Sequence, residues 1–216
     1  MNKGVLVGLL VLVLVAIAAG GWFYFSGQQI SVLMPGASAG DGPVVTENDR
    51  ILGKADAPVT VVEYFSLGCP HCKTFHETGL PKLKAEYIDT GKVRFVFRDF
   101  PLDGVALAAA QLTRCVPNEA YFAMTDALFA QQSIWHAENG VPQIAEIAKG
   151  AGMDQAAFDA CLGDAAKRTA IVESRKEAAE KFKVEATPTM FVNGRKLDSA
   201  GDYEALKAAI DAALNE

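Results

Sequence analysis

A Cys-Pro-His-Cys motif at residues 69–72 constrains the fold of this chain more strongly than any other stretch. The apolar run 61–65 upstream of the motif consists of β-branched and aromatic residues around Glu63, and this composition predicts a buried strand. Residues 66–68 (Ser-Leu-Gly) interrupt the run and predict a turn, after which a helix should begin at the motif. The cysteines are therefore expected at a strand-to-helix junction.

The chemistry of the motif follows from that position. Cys69 is expected at or near the helix N-cap, where unpaired backbone N–H groups and the positive end of the helix dipole favour an anion. Pro70 suits the first helical position, because the N–H that it lacks would have no partner there. His71 can add a charge or a hydrogen bond to a thiolate. A stabilised thiolate makes a Cys69–Cys72 disulfide easier to reduce, so the motif predicts an oxidising redox pair.

A structural bridge or a zinc knuckle is the alternative interpretation of the two cysteines. A closed zinc site needs four ligands, and the sequence offers only His71 and His76 near the motif. We therefore predict no metal site, and we interpret His76 and His136 as surface or packing residues. Trp135 and Phe129 are expected in the core rather than at a cofactor.

Together with two flanking segments, the motif resembles the DsbA family of thiol:disulfide oxidoreductases, which have a thioredoxin fold. The resemblance is carried by residues 57–66 (Ala-Pro-Val-Thr-Val-Val-Glu-Tyr-Phe-Ser), by the motif with Lys73 and Phe75 after it, and by residues 187–189 (Thr-Pro-Thr). It spans residues 51–214. It implies an α/β, thioredoxin-like fold with an inserted all-helical subdomain.

The resemblance also implies roles for individual residues. Glu63 matches the position of the family's buried acid, which would take the proton of Cys72 as that thiol attacks a mixed disulfide; an ordinary solvent-facing strand glutamate is the alternative. Pro188 matches the family's cis-proline, and it would leave the backbone of Thr187 free to pair with a substrate peptide. The best known DsbA pattern has an apolar residue in place of Thr187. Threonine occurs there in related disulfide isomerases, so the preference between oxidation and isomerisation stays open.

Cys115 and Cys161 complete an even count of four cysteines. An even count in an exported chain favours a second, structural disulfide, and these two cysteines lack the paired spacing of a redox motif. Two free buried thiols are the alternative. A bond would close a loop of about 46 residues and would stabilise the fold by about 4 kcal/mol in the chain-entropy description.

The first 25 residues predict a transmembrane anchor. Residues 4–25 contain no charged residue, and about 22 residues at a helical rise of about 1.5 Å span about 33 Å, enough to cross the hydrocarbon of a bilayer. Lys3 precedes this span and Trp22 and Tyr24 close it, which predicts an anchored protein on the periplasmic side of the bacterial inner membrane. A signal peptide cleaved at residues 16–18 (Ala-Ile-Ala) is the alternative, and it would give a soluble periplasmic protein.

Residues 26–50 are rich in Gly, Ser, Asp and Pro and predict a flexible tether, so residues 51–216 should form the DsbA-like domain. The expected order is β-α-β, helical insert, β-β-α. In sequence the elements are a helix from 69 to about 91 kinked at Pro81, a strand at 93–97, an insert at about 102–182, a hairpin at 189–197 with a type I′ turn at Asn193-Gly194, and a closing helix at 203–214.

Charge narrows the possible functions. Lys3 is the one charged residue among the first 25, so the rest of the chain carries 19 basic and 26 acidic residues, a formal net charge of −7. Such an acidic domain is not suited to binding nucleic acid.

We predict a cofactor-free, membrane-tethered thiol:disulfide oxidoreductase that passes its disulfide to reduced, unfolded exported proteins. By resemblance alone, a quinone-linked DsbB-type membrane protein would reoxidise it. The alternatives are a disulfide isomerase or reductase kept reduced by a membrane donor, and a non-catalytic chaperone or metal binder.

Overall fold

A computed structural model describes residues 42–137, 140–198 and 201–216 of the chain. One mixed sheet lies at its centre, and the central strand pairs in parallel with the strand before it in the sheet and antiparallel with the strand after it. In sheet order the strands are Arg50–Leu52 (β1), Val93–Asp99 (β3), Val59–Phe65 (β2), Thr189–Val192 (β4) and Arg195–Lys196 (β5).

The helices surround this sheet, and six of them lie between β3 and β4. In chain order they are Pro70–Thr74 (α1), Leu80–Leu83 (α2), Gly104–Thr113 (α3), Asn118–Ala130 (α4), Gln132–Trp135 (α5), Gly140–Gly150 (α6), Gln155–Gly163 (α7), Ala165–Lys181 (α8) and Tyr203–Ala213 (α9). The predicted order of β-α-β, helical insert and β-β-α is present. An additional strand that the sequence did not predict, β1, pairs antiparallel with β3 at the edge of the sheet.

Two π-helical turns shape the helical region that follows the motif. The turns Phe75–Gly79 and Lys84–Ile88 alternate with α1 and α2. In a regular α-helix, Pro81 would lack an N–H for the carbonyl four residues earlier, and its ring would clash with that carbonyl. The first π-helical turn ends directly before this proline with a bond from the Leu80 N–H to the Phe75 carbonyl. A π-helical turn widens the helix by one residue, and this is how the region accommodates the proline.

The two faces of the sheet bury different sets of side chains. Every residue of β2 is buried, and alternate residues point to opposite faces because a strand has a side-chain period of two. The larger cluster combines Val61 and Phe65 with the helical insert and α9. The smaller cluster combines Val62 and Tyr64 with Phe182 beyond the end of α8. By this alternation Glu63 belongs to the face of the larger cluster.

Residues 43–49 cover part of the smaller cluster. Arg98 at the end of β3 forms a bidentate ion pair with Asp49, with Nε lying 2.8 Å from Oδ1 and Nη2 lying 2.6 Å from Oδ2. Arg114 donates a hydrogen bond to the Asn48 carbonyl at 3.0 Å. The end of the predicted tether is therefore fixed to the sheet, and the folded domain begins before the predicted boundary at residue 51.

The predicted anchor at 1–25 and the tether up to residue 41 lie outside the described residues. Among the helices that the structure does describe, none is both long and apolar enough to cross a bilayer.

The β4–β5 turn lies at the end of β2 that is remote from the motif. Asn193 and Gly194 have φ values of 45° and 80°, the left-handed conformations that the predicted type I′ turn requires. The Asn193 side chain accepts a hydrogen bond from the Thr60 N–H near the start of β2. A Cβ atom at Gly42 would lie 2.3 Å from the Gly194 carbonyl oxygen, so only glycine fits there. The chain therefore reaches the sheet beside this turn.

Candidate functional site

The motif occupies the predicted strand-to-helix junction. Cys69 is the N-cap residue of α1, with an extended backbone (φ −84°, ψ 120°), and Pro70 follows at the first helical position. The Cys69 N–H bonds to the Ser66 carbonyl, which closes the turn after β2. Cys69 and Cys72 are free thiols, 5% and 0% exposed. The helix therefore presents its unpaired N–H groups to the first cysteine and buries the second beneath it.

The surroundings of Cys69 favour its thiolate. The pKa of Cys69 is lowered to about 5, chiefly because the Cys72 side chain hydrogen-bonds to its sulfur. Burial opposes this effect, while hydrogen bonding to Thr187 and to the backbone N–H groups of Cys72 and His71 adds to it. Cys69 is therefore expected to be charged at neutral pH, as the helix N-terminus predicts.

Burial raises the pKa of the Cys72 thiol strongly, and both the hydrogen bond to Cys69 and the charge of Glu63 raise it further. The pKa of Cys69 is therefore below that of an ordinary cysteine, and the pKa of Cys72 is above it. One is a stabilised anion near the surface and the other a thiol that holds its proton.

The backbone of His71 hydrogen-bonds to the sulfur of Cys69. Its side chain is exposed, as is Pro70 before it. The hydrogen bond that lowers the pKa of Cys69 comes from the His71 N–H. The predicted contribution of the imidazole to the thiolate has no counterpart among the hydrogen bonds of the described residues.

Glu63 is fully buried on the sheet face that also carries the motif, which excludes the alternative of a solvent-facing strand glutamate. Its Oε2 atom lies 2.9 Å from Nε2 of His76. His76 is therefore a buried packing residue rather than a surface one, and the sequence did not predict that its ring is paired with Glu63. The i, i+4 spacing of Cys72 and His76 is the sequence signal that could have located it.

The Thr187–Pro188 peptide bond is cis, as predicted. It lies against the motif, because the Cys69 sulfur is 3.2 Å from the Thr187 carbonyl oxygen. The structure therefore brings these two residues together with Cys69 from a distant part of the chain. Their contact with a substrate peptide remains a prediction.

The helical insert also contacts the motif. Gln132 is buried, and its Nε2 donates to the carbonyls of Leu67 at 2.6 Å and Cys69 at 3.0 Å. His136 packs against the same turn, since a Cβ atom at Gly68 would lie 2.6 Å from its Nε2. The sequence does not predict this role of Gln132, because nothing in its local pattern indicates a carbonyl partner more than 60 residues away.

Cys115 and Cys161 form a disulfide, with an S–S distance of 2.09 Å and a Cα–Cα distance of 5.9 Å. The bond links the second residue after α3 to the last turn of α7. It confirms the predicted structural pair and excludes the alternative of two free thiols. Gln111 of α3 adds to the link, since its Nε2 donates to the carbonyls of Cys161 at 2.7 Å and Asp164 at 2.9 Å.

The structure also places His136, Trp135 and Phe129, for which the sequence predicted surface or core positions. His136 forms an ion pair with Asp103 at 2.8 Å, on the surface of the insert. Trp135 and Phe129 lie in the core, as predicted. Within the described ranges, no three His, Cys, Asp or Glu side chains are grouped so that they could hold a metal ion.

A dithiol at a helix N-terminus, after a buried strand and opposite a cis-proline, defines a thioredoxin-type dithiol–disulfide protein. The family model described as "Thioredoxin" matches residues 45–212. A Rickettsia bellii protein named as a candidate protein-disulfide oxidoreductase is 33% identical over 174 residues, covering 80% of this chain and 67% of its own length. The chain spans only 62–64% of the length of four further Rickettsia relatives.

Solved structures agree with this assignment. The crystal structure of Wolbachia pipientis α-DsbA1 has a TM-score of 0.74 and 33% identity, over 80% of this chain and 94% of that one. Oxidised BdbD from Bacillus subtilis has a TM-score of 0.74 and 27% identity, over 82% and 99% of the two chains. The chain therefore belongs to the DsbA-like, thioredoxin-fold family of protein-disulfide oxidoreductases.

Proposed function

We propose that this protein introduces disulfides into exported proteins by passing on a disulfide formed between Cys69 and Cys72. The observation that carries the proposal is the unequal state of the two sulfurs. The pKa of Cys69 is lowered to about 5, whereas burial raises that of Cys72. Each pKa unit by which the thiolate is stabilised makes the disulfide more oxidising by about 30 mV. A stable Cys69 thiolate therefore favours transfer of the disulfide to a substrate.

The reaction proceeds through a mixed disulfide. A substrate thiolate attacks Cys69 Sγ, the Cys69–Cys72 bond breaks, and Cys72 keeps the electron pair and takes up a proton. A second substrate thiolate then attacks the substrate sulfur of the mixed disulfide, and Cys69 leaves as a thiolate. The substrate loses two electrons and the enzyme gains them. The low pKa of Cys69 assists the second step, because a stable thiolate is a good leaving group.

Thr187 and Pro188 would hold the substrate during this exchange. The Thr187 carbonyl lies beside Cys69, so a peptide that pairs with this backbone in an extended conformation would bring its cysteine to the exposed side of the sulfur. Glu63 would supply and accept the proton of Cys72, since it is buried and its charge acts on that thiol.

The cellular setting is part of the same proposal. We place the protein outside the cytoplasm, on the periplasmic side of the bacterial inner membrane, with residues 1–25 as its anchor. The Cys115–Cys161 bond supports an oxidising compartment. A quinone-linked membrane protein of the DsbB type would reoxidise the dithiol. The expected substrates are reduced, unfolded exported proteins.

Isomerisation is the second candidate, and Thr187 beside Cys69 is the observation that favours it. The two functions differ in the resting state of the dithiol. An oxidase is kept oxidised at Cys69 and Cys72, and an isomerase is kept reduced. Trapping the full-length protein from cells with acid and alkylating its free thiols, followed by mass measurement, separates these states. Both cysteines alkylated in most molecules would contradict the oxidase.

A transfer assay tests the reaction itself. The oxidised protein is mixed with a reduced peptide that carries two cysteines, and peptide disulfide is measured over time. We expect one disulfide transferred per enzyme molecule. Cys72→Ser, incubated with a peptide that has a single cysteine in disulfide form, should accumulate a mixed disulfide at Cys69. If transfer instead required Cys115 and Cys161, the proposed function would be wrong.

A further inference from the structure

The Glu63–His76 pair lies in an apolar pocket beneath the dithiol. The two side chains are 0% and 2% exposed. Three phenylalanine rings pack around the imidazole, with centroid distances of 5.3 Å for Phe65, 5.4 Å for Phe97 and 4.5 Å for Phe129. Burying a carboxylate is costly unless it is hydrogen-bonded, so the hydrogen bond to His76 stabilises Glu63 in its buried position.

Each member of the pair keeps one polar atom without a partner. Glu63 Oε1 and His76 Nδ1 are both buried, and no hydrogen bond from the described residues reaches either atom. Most buried polar atoms in proteins are paired, and exceptions are often associated with catalysis. Because Oε2 is bonded to His76, Oε1 is the carboxylate oxygen left for another donor.

Cys72 is the donor that fits. It lies one helical turn before His76, and it is fully buried on the same side of the sheet. The charge of Glu63 is also one of the causes that raise the pKa of the Cys72 thiol. The described structure therefore groups a thiol that must exchange a proton, a carboxylate with one free oxygen, and an imidazole that binds the other oxygen.

We propose that His76 is a positioning residue whose Nε2 hydrogen bond fixes Glu63 Oε2 and leaves Oε1 directed to the Cys72 sulfur. The inference rests on the proposed function, because Cys72 gains and loses a proton only when disulfides exchange. As Cys72 leaves the Cys69–Cys72 disulfide with the electron pair, it takes a proton from Oε1. As it attacks a mixed disulfide at Cys69, the proton returns to Oε1, the Cys69–Cys72 bond forms, and the substrate departs as a thiolate.

Few other titratable groups face the imidazole. Glu63 approaches from β2 and Cys72 from α1, while β3 presents only the apolar ring of Phe97. From α4 the one carboxylate that senses the charge of His76 is Asp126, whose side chain is exposed. The effect of pH on Cys72 should therefore reflect the Glu63–His76 contact rather than a wider network.

The test compares His76→Phe with His76→Gln. Phenylalanine keeps a ring in the pocket but cannot bond to Glu63. Glutamine places its amide nitrogen the same number of bonds from Cβ as Nε2 of histidine, so it can restore the hydrogen bond without a titratable ring. The reduced protein is mixed with oxidised glutathione, which first forms a mixed disulfide at Cys69. Acid quenching and mass spectrometry then measure how fast Cys72 resolves it.

We expect His76→Phe to slow resolution about tenfold or more, since general acid–base catalysis contributes at least that much. The deficit should increase toward low pH, where bases in solution are protonated. His76→Gln should resolve within a few-fold of the wild type, and formation of the mixed disulfide at Cys69 should be unchanged in both. In a Glu63→Gln background, His76→Phe should cause no further slowing, because His76 acts through Glu63.

Three results would overturn the inference: unchanged resolution in His76→Phe, no rescue by glutamine, or additive slowing in the double variant. Thermal unfolding confirms that each variant is folded. Arg195→Gln is the control, because Arg195 is also paired with a carboxylate, Glu216, but lies in β5 at the end of the sheet remote from the motif, and it should leave resolution unchanged. If the wild-type protein formed no Cys69–Cys72 disulfide, both the proposed function and this inference would be wrong. Equal rates of resolution in wild type and His76→Phe would contradict this inference alone.

Discussion

The four cysteines form two pairs whose surroundings oppose each other. Cys69 lies at the N-terminus of α1, and its free thiol has a pKa lowered to about 5. Cys161 lies in the last turn of α7 and is bonded to Cys115. A helix dipole is positive at its N-terminus and negative at its C-terminus. The reactive sulfur therefore lies at the helix end that stabilises a thiolate, whereas the bonded Cys161 lies at the opposite end of its helix.

The backbone around both pairs is held in the same way. Gln132 donates to the Cys69 carbonyl, and Gln111 donates to the Cys161 carbonyl, and both glutamines are buried. Each glutamine comes from a helix distant in sequence. Rigid support is thus common to the two pairs, and the electrostatics of the sulfur distinguish the reactive pair from the structural one.

Removing the reactive sulfur should give the largest effect. Cys69→Ser should abolish disulfide transfer to a dithiol peptide, because no electrophilic sulfur remains at the helix N-terminus. Cys115→Ala with Cys161→Ala should transfer at the wild-type rate, measured at a temperature where that variant is folded. Loss of transfer in the folded double variant would show that the second pair is a redox relay.

The pH dependence of Cys69 alkylation should show the next largest effect. Alkylation of the reduced protein by iodoacetamide should rise with a midpoint near pH 5, against about 8.5 for a free cysteine. Because the folded-state pKa is depressed, the stability that the thiolate contributes to the reduced protein is complete above about pH 8.5 and is lost as the pH falls through 5. Cys69→Ala should lose this pH dependence. A midpoint near 8.5 would contradict the contrast between the two pairs.

Breaking the structural bond should affect stability alone. Cys115→Ala with Cys161→Ala should lower the free energy of unfolding by about 4 kcal/mol, because the unfolded chain regains the entropy of a loop of about 46 residues. Urea unfolding in the absence of reductant measures the change. The alkylation midpoint of Cys69 serves as the control, and a shift in that midpoint would mean that the pairs are coupled.

Exchanging each buried glutamine for methionine should give the smallest effect. Gln132→Met and Gln111→Met should each cost about 1–3 kcal/mol of stability, because buried carbonyls lose their donor. Only Gln132→Met should also change the rate at which Cys69 is alkylated, since its carbonyl partners lie in the reactive turn. Equal rates of Cys69 alkylation in the two variants would show that Gln132 stabilises the backbone without affecting the reactive sulfur.

The features that the sequence predicted correctly have local causes. The N-cap position of Cys69 follows from the break after β2 and from Pro70, which suits a first helical residue. The Asn193-Gly194 turn follows from the two residues that adopt positive φ most readily. The helical insert is visible from its length, its Ala-rich composition and its Gly and Pro boundaries.

The features that it missed depend on contacts between distant segments. The i, i+4 spacing places His76 on the same side of the helix as Cys72, but nothing local shows that its imidazole pairs with a carboxylate. Its partner Glu63 is on a strand, and only the packing of α1 on the sheet joins them. Residues 43–50 have the composition of a linker, yet two arginines from β3 and the insert bind them. Such pairings are fixed by the tertiary fold, and no periodicity in the sequence encodes them.

The close approach of Gly42 to Gly194 lies at the opposite end of β2 from the reactive sulfur. The chain joins the sheet at the start of β2, and Cys69 follows the far end of this strand of seven residues, about 23 Å away. Cys69 is therefore reached from the end of the sheet opposite to residue 42, across the full length of β2.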